Sequence, residues 1–178
     1  MPLPRTAALR AELRFAQVGS GARIAWAASG QGAPGSPPLV RVAHWMTHVE
    51  HDLTSLIWRP WLERLGRELR IIRYDERGCG LSSSDEEPIG ITASVEELEV
   101  VIDAAGLEQV ALLGMSGAAA AAIAYAVRHP GRVSHLEARV GGAYKMSFTN
   151  FTTGRSHAFG GTYLELVPHE RIRYTDKF

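Results

Sequence analysis

Along the first three quarters of the chain, short apolar runs alternate with longer stretches whose apolar residues fall on one helical face. ELRFAQV and ARIAWAA, separated by Gly19 and Gly21, predict a hairpin of antiparallel strands. A glycine- and proline-rich loop, SGQGAPGSPP, leads into the apolar strand PLVRVA. In SLIWRPWLERLGREL the residues Leu56, Ile57, Trp61, Leu62, Leu65 and Leu69 share roughly one face, which predicts a helix. Pro60 places its start later than the apolar pattern does, because proline is tolerated only in a first turn. The strand RIIRYD, the loop ERGCGLSSSDEEPIG and a helix over ASVEELEVVIDAAG follow, with Gly106 as the stop. EQVALLG is a further strand, and AAAAAIAYAVRHP a further helix closed by Pro130. This alternation predicts an α/β architecture, a mostly parallel sheet with flanking helices. PLVRVA, RIIRYD and EQVALLG should be neighbours, with EQVALLG internal because its apolar run needs cover on both faces.

After about Val133 the pattern changes. The remaining segment has no helical period and reads as three strands, AYKMSFT, HAFGGTYLELV and RIRYTDKF, joined by turns at NFTTGRS and PHE. An antiparallel β-meander is expected, with Phe148, Phe159, Tyr163 and Ile172 in one apolar layer and a bulge or close crossing at Gly160 and Gly161.

Composition narrows the function classes. With 178 residues, 46% of them hydrophobic, the chain has material for one core of ordinary size. Nineteen basic residues balance nineteen acidic ones, without long blocks of either sign, so no footprint for nucleic acid or an anionic membrane surface stands out. Small or neutral partners fit better. The one cysteine, Cys79, cannot form an internal disulfide, and no apolar stretch is long enough to span a bilayer. The expected location is the cytoplasm.

Candidate chemistry concentrates in VALLGMSGAAAAA, where a strand runs into a helix through a turn of small residues. A serine held on such a turn is the arrangement of a nucleophile elbow, which needs small neighbours wherever backbone and helix approach closely. Gly114 and Gly117 meet that need around Ser116, while Ala118 stands where the G-x-S-x-G pattern has its last glycine. Helix N-terminal N–H groups beside Ser116 would favour a developing oxyanion. The competing role for Ser116 is a plain helix cap. Upstream, His44, His48, His51 and Asp52 raise a metal question, but they follow a strand directly and lack the glutamate of H-E-x-x-H, so no metal is expected. YDERGCGLS holds Gly78 and Gly80 but no complete phosphate fingerprint, and no cofactor is expected either.

Together AHWMTHVEHD, YDERGCGLS and GMSGA, in that order after successive strands, resemble the first half of an α/β-hydrolase, of the type found beside LuxR-like regulators and nucleotide cyclases. The resemblance covers about residues 12 to 136. From Glu137 onward, RVGGAYKMSFTNFTTG and GTYLELVPHERIRYT resemble part of a START-like (SRPBCC) domain of the chaperone-ATPase-activator-homologue branch. The implied organisation is a hydrolase-like unit over 1–136 and a START-like β-meander fragment over 137–178.

This resemblance implies that Ser116 is the nucleophile and that the N–H groups of Gly117 and Met46 form the oxyanion hole, with Trp45 replacing a glycine of the family's His-Gly-x turn. Asp75 and Arg77 would hydrogen-bond loops at the top of the sheet, leaving Cys79 as a small buried filler. Triads of this family run Ser, then Asp or Glu, then His, on loops after later strands that this sequence does not show. Of the later histidines, His129 stands at the far end of the helix after Ser116, about 13 residues and ~20 Å away. His157 and His169 lie in the meander. A serine hydroxyl without a base is a weak nucleophile. The expected function is therefore a serine-hydrolase-like protein for small esters or related acyl compounds, weak or inactive. The alternative is a non-catalytic chimera or truncated fusion whose tail binds an apolar ligand or a protein partner. Open sheet edges also suggest pairing into a homo-oligomer.

Overall fold

A computed structural model of the chain describes residues 11–44, 46–86, 88, 90–115, 117–135, 143–149, 156–167 and 171–175, the three strands after residue 142 by their backbone alone. It divides into two units, Met1–Leu136 and Glu137–Phe178.

The first unit is a six-stranded mixed sheet with helices. Its strands are β1 (Glu12–Gln17), β2 (Arg23–Ser29), β3 (Leu39–Arg41), β4 (Ile71–Tyr74), β5 (Val110–Leu113) and β6 (Val133–His135), in the spatial order β1-β2-β4-β3-β5-β6. β1 and β2 form the hairpin predicted around Gly19 and Gly21, and β2 also runs antiparallel to β4. The strands β4, β3, β5 and β6 are mutually parallel. β5 is internal, as its apolar run requires. β6 was not expected as a strand: three residues of low apolar content carry no period, and its pairing with β5 gives it its conformation.

Three helices connect the strands: α1 (Trp58–Leu65), α2 (Ile91–Ala104) and α3 (Ala118–Arg128). α1 begins late, with Pro60 in its first turn, where a missing N–H leaves no intrahelical bond unmade. Its apolar face differs from the sequence expectation. Leu62 is buried, but Leu56 is 95% exposed, and Ile57 and Trp61 are also exposed. A helical period identifies a stripe but not how far a neighbour covers it. α2 stops where expected, with Gly106 adopting φ 66°, a left-handed conformation open to glycine.

One face of the sheet carries the main core. Val40, Val42, Ile72, Tyr74, Val110 and Leu112 pack there with Val95, Leu98, Val101 and Ile102 of α2 and with Ala118, Ala121, Ala122 and Tyr125 of α3. The alanine face of α3 thus lies on the sheet. Strand alternation turns Arg41 and Arg73 to the other face, where Ala25, Ala27 and Val49 form a second, smaller cluster. Ala111 and Leu113 on that side of β5 are only half-buried.

In the second unit the backbone of β7 (Ala143–Thr149), β8 (Ser156–Val167) and β9 (Arg171–Tyr174) pairs antiparallel in the order β7-β8-β9. Gly160 and Gly161 sit in regular register opposite Lys145 and Tyr144. The irregularity falls instead between Tyr163 and Glu165. The expected apolar layer of Phe148, Phe159, Tyr163 and Ile172 concerns side chains outside the described set.

Candidate active site at the carboxyl ends of the parallel strands

The parallel strands β4, β3 and β5 end on the same side of the sheet, where crevices of open α/β sheets hold their ligands. Three loops meet there. The loop after β5 is shaped by Gly114. A Cβ at that position would lie 2.8 Å from the Ala118 carbonyl oxygen and from the Ala119 Cα, so only glycine lets α3 approach the end of β5 so closely. Gly117 is different. It has helical dihedrals, φ −56° and ψ −32°, and open space where a Cβ would go. The expectation that both glycines are demanded by close approach therefore holds for Gly114 alone. Gly117 is the residue that caps α3. Ser116 and Trp45 lie outside the described residues.

The loop after β3 is folded on His44. The His44 carbonyl accepts both the N–H and the hydroxyl of Thr47, each at 2.9 Å. Its ring nitrogen Nδ1 accepts the backbone N–H of Met46 at 3.2 Å. The N–H expected to serve an oxyanion thus already has a partner in the free protein, and the Met46 side chain is exposed. The His44 ring is almost fully buried and leans on Trp58, whose ring also lies under the Arg41 guanidinium at 4.6 Å. Burial holds the His44 pKa below the ordinary histidine range. The Arg41 charge adds to that depression and the Asp52 carboxylate opposes it.

Asp75, at the end of β4, ties the loops together. Its carboxylate accepts the N–H of Val49 and the N–H of Leu81, both at 2.8 Å. Gly80, at φ 51°, backs directly onto it: an added Cβ would come within 2.1 Å of Oδ2. The glycines of YDERGCGLS therefore shape a turn around a carboxylate. Arg77 reaches Glu97 at 3.2 Å, Asp85 at 2.8 Å and Glu96 at 3.3 Å, joining this turn to α2. Glu96 also accepts the Gly19 N–H, and Asp85 accepts the Ser20 hydroxyl, so the β1–β2 turn belongs to the same network. Cys79 is half-buried rather than fully buried, and burial followed by the Glu76 carboxylate raises its pKa.

Beneath the loop after β3 lies a buried charge cluster that sequence reasoning missed. Asp52 Oδ2 accepts from Arg41 at 2.5 Å and from Arg73 at 3.2 Å, and Arg73 also donates to the Val49 carbonyl. A signal was present. Each arginine interrupts an apolar strand at the same offset, which on neighbouring parallel strands places both on one face. His44, His48, His51 and Asp52 do not converge: His44 holds Met46, His48 and His51 contact each other, and Asp52 serves the arginines. Among the described residues no group of three or more metal-ligating side chains gathers, and no helix is long and apolar enough to cross a membrane.

Residues 42–144 match the family model for the alpha/beta hydrolase fold. The chain belongs to the α/β-hydrolase-fold family. The chain is 31% identical over 84 residues to a putative carbamate hydrolase, RutD, from Caulobacter sp. strain K31, covering 47% of this chain and 31% of that protein. It is 35% identical over 118 residues to a 2-hydroxy-6-oxo-2,4-heptadienoate hydrolase from Pseudomonas putida strain F1, covering 64% and 40%. Among solved structures, a hydrolase from Pseudomonas aeruginosa PA01 superimposes with a TM-score of 0.58 at 27% identity, over 68% of this chain and 43% of that one. The enol-lactonase of Burkholderia xenovorans LB400 shares the fold with a TM-score of 0.57 at 22% identity, over 67% and 44%. The α/β-hydrolase chain thus spans less than half the length of these relatives. Residues 127–178 match a second model, activator of Hsp90 ATPase homolog 1-like protein.

Two histidines of the first unit bear on the question of a base. His129, at the far end of α3, is engaged with Glu99 of α2 at 2.7 Å, and His135 contacts the Ser134 hydroxyl at 3.0 Å.

Proposed function

We propose that the chain carries the nucleophile and oxyanion part of a serine-hydrolase site for small esters or related acyl compounds. Ser116 attacks, and the N–H groups of Gly117 and Met46 receive the developing oxyanion. The observation that carries this reading is the crowding at Gly114, which draws α3 onto the end of β5 in the strand–turn–helix geometry that a nucleophile elbow needs. Hydrolases among the relatives support the reaction class. Turnover is expected to be slow, because a neutral serine needs a base, and of the described histidines His44 holds the Met46 N–H and His129 is engaged with Glu99.

A second reading is a non-catalytic fusion of a hydrolase-like scaffold, 1–136, with a START-like segment, 137–178, that binds an apolar ligand or a protein partner. It is favoured by the two family matches, which overlap at 127–144. Open sheet edges give either form a route to a homo-oligomer, and the cytoplasm remains the proposed location.

The deciding assay uses a short-chain activated ester with the wild type, Ser116→Ala, His157→Ala and His169→Ala. Slow turnover abolished by Ser116→Ala supports the serine reading. Turnover of roughly 1 per second or faster, lost in one histidine variant, would show that the tail supplies a base. Weak turnover unchanged in Ser116→Ala removes the serine from the mechanism and favours the fusion.

A further inference from the structure

The Met46 N–H can serve an oxyanion only by giving up the partner it now has. We propose that His44 is a positioning residue that closes and opens the oxyanion hole, its Nδ1 occupying the Met46 N–H in the free protein and yielding that N–H to the substrate oxygen. This rests on the serine-hydrolase reading above. Three observations converge on it. The Met46 N–H lies 3.2 Å from Nδ1, within hydrogen-bonding range. The backbone of His44 is pinned by Thr47 through its carbonyl, so the ring can move without the loop unfolding. The ring has an aromatic neighbour, Trp58, tilted against it at 6.0 Å between centroids, and Arg41 lies over that same Trp58 ring, so the imidazole has a surface to pivot against.

The bond requires a particular proton arrangement. Nδ1 accepts only when it carries no proton, so His44 must be neutral with its hydrogen on Nε2. Protonation of Nδ1 turns the acceptor into a donor and expels the Met46 N–H. The charged groups facing the ring are Arg41 from β3, which opposes that protonation, and Asp52 from the turn before α1, which favours it. In the resting state the hole therefore offers the Gly117 N–H while Met46 is withheld. Substrate oxygen must be a better acceptor than a neutral imidazole, which an oxyanion is and a ground-state carbonyl oxygen is not. Such a donor contributes more to the transition state than to substrate binding.

The test uses the full chain labelled with nitrogen-15. At neutral pH the His44 ring should show a proton on Nε2 and a hydrogen-bonded, unprotonated Nδ1. His44→Phe should speed exchange of the Met46 amide on the order of fivefold, while His44→Gln, whose side-chain oxygen can accept, should retain protection. A proton on Nδ1 of the wild type, or Met46 exchange unchanged in a folded His44→Phe, overturns the inference. Phenylboronic acid then supplies an oxyanion mimic: the Ser116 oxygen bonds to boron, the hydroxyl proton leaves to buffer, and the boron becomes tetrahedral and anionic. Boron NMR reports whether the adduct forms, with Ser116→Ala as control. On adduct formation the Met46 amide resonance should move and the His44 Nδ1 should lose its bonded signature. An adduct that leaves both unchanged also overturns the inference. Absence of an adduct counts against the serine reading instead, and the resting-state tautomer and exchange then decide the role of His44 alone.

Discussion

Arg41 lies directly opposite Arg73 in the register of β3 and β4, and the two buried guanidinium groups meet on one oxygen of Asp52. Two cations of one sign are tolerable in the interior only because a carboxylate is held between them. The cluster also leaves four guanidinium nitrogens, two on each arginine, without a protein hydrogen-bond partner among the described residues. Its stability therefore depends heavily on that single anion.

Removing the anion should be costly. Asp52→Asn leaves both arginines buried without compensation and is expected to destabilise the fold by about 3–5 kcal/mol. The measurement is the urea midpoint. A shift of less than about 1 kcal/mol in Asp52→Asn would show that the cluster is solvated in solution.

A second prediction concerns pH. Burial pushes the Glu97 carboxyl from its ordinary 4.5 up to about 7, outweighing the favourable pull of Arg77, which stays protonated throughout. The native state therefore holds a proton that the unfolded chain has already released. With the folded pKa raised, this acid favours the fold most at low pH, and the contribution declines as pH rises from 4.5 to about 7. The full swing is on the order of 3 kcal/mol. Glu97→Gln should flatten the stability profile across that window, read from denaturation midpoints at several pH values. An unchanged slope would place the titration elsewhere.

The two glycines flanking Ser116 should behave oppositely. Gly114→Val drives side-chain carbons into the α3 backbone and is expected to cost roughly 1–3 kcal/mol or more. Gly117→Ala meets open space at an ordinary helical φ and keeps its N–H, so stability should change by less than about 1 kcal/mol. Thermal melts of the pair suffice. Equal losses would contradict the asymmetry of the turn.

Leu62→Ala on α1 should cost about 2–5 kcal/mol as a buried leucine, whereas Leu56→Ser, just before that helix, should fall within about 0.5 kcal/mol of the wild type. A large loss in Leu56→Ser would mean that the exposed side chain is covered in solution, as by a second copy of the chain.

Local patterns were enough to read the hairpin, the strands β3, β4 and β5 as neighbours with β5 internal, the end of α2 and the alanine face of α3. Each rests on short-range physics: period, proline, glycine and apolar runs act within a few residues. The demand for glycine at position 114 was legible for the same reason, since a strand running straight into a helix crowds its own turn. What tertiary structure alone decided was long-range. β6 exists because β5 offers it an edge, and Leu56 and Ile57, just ahead of α1, are left uncovered because cover depends on what packs there. Asp52 finds two arginines from different strands, 11 and 21 residues away in the chain, and no local period encodes such a meeting. The engagement of Met46 by His44 spans only two residues, yet it was invisible too. It depends on the orientation of a ring that packs against Trp58 from α1, and side-chain direction is decided by packing, which sequence spacing does not carry.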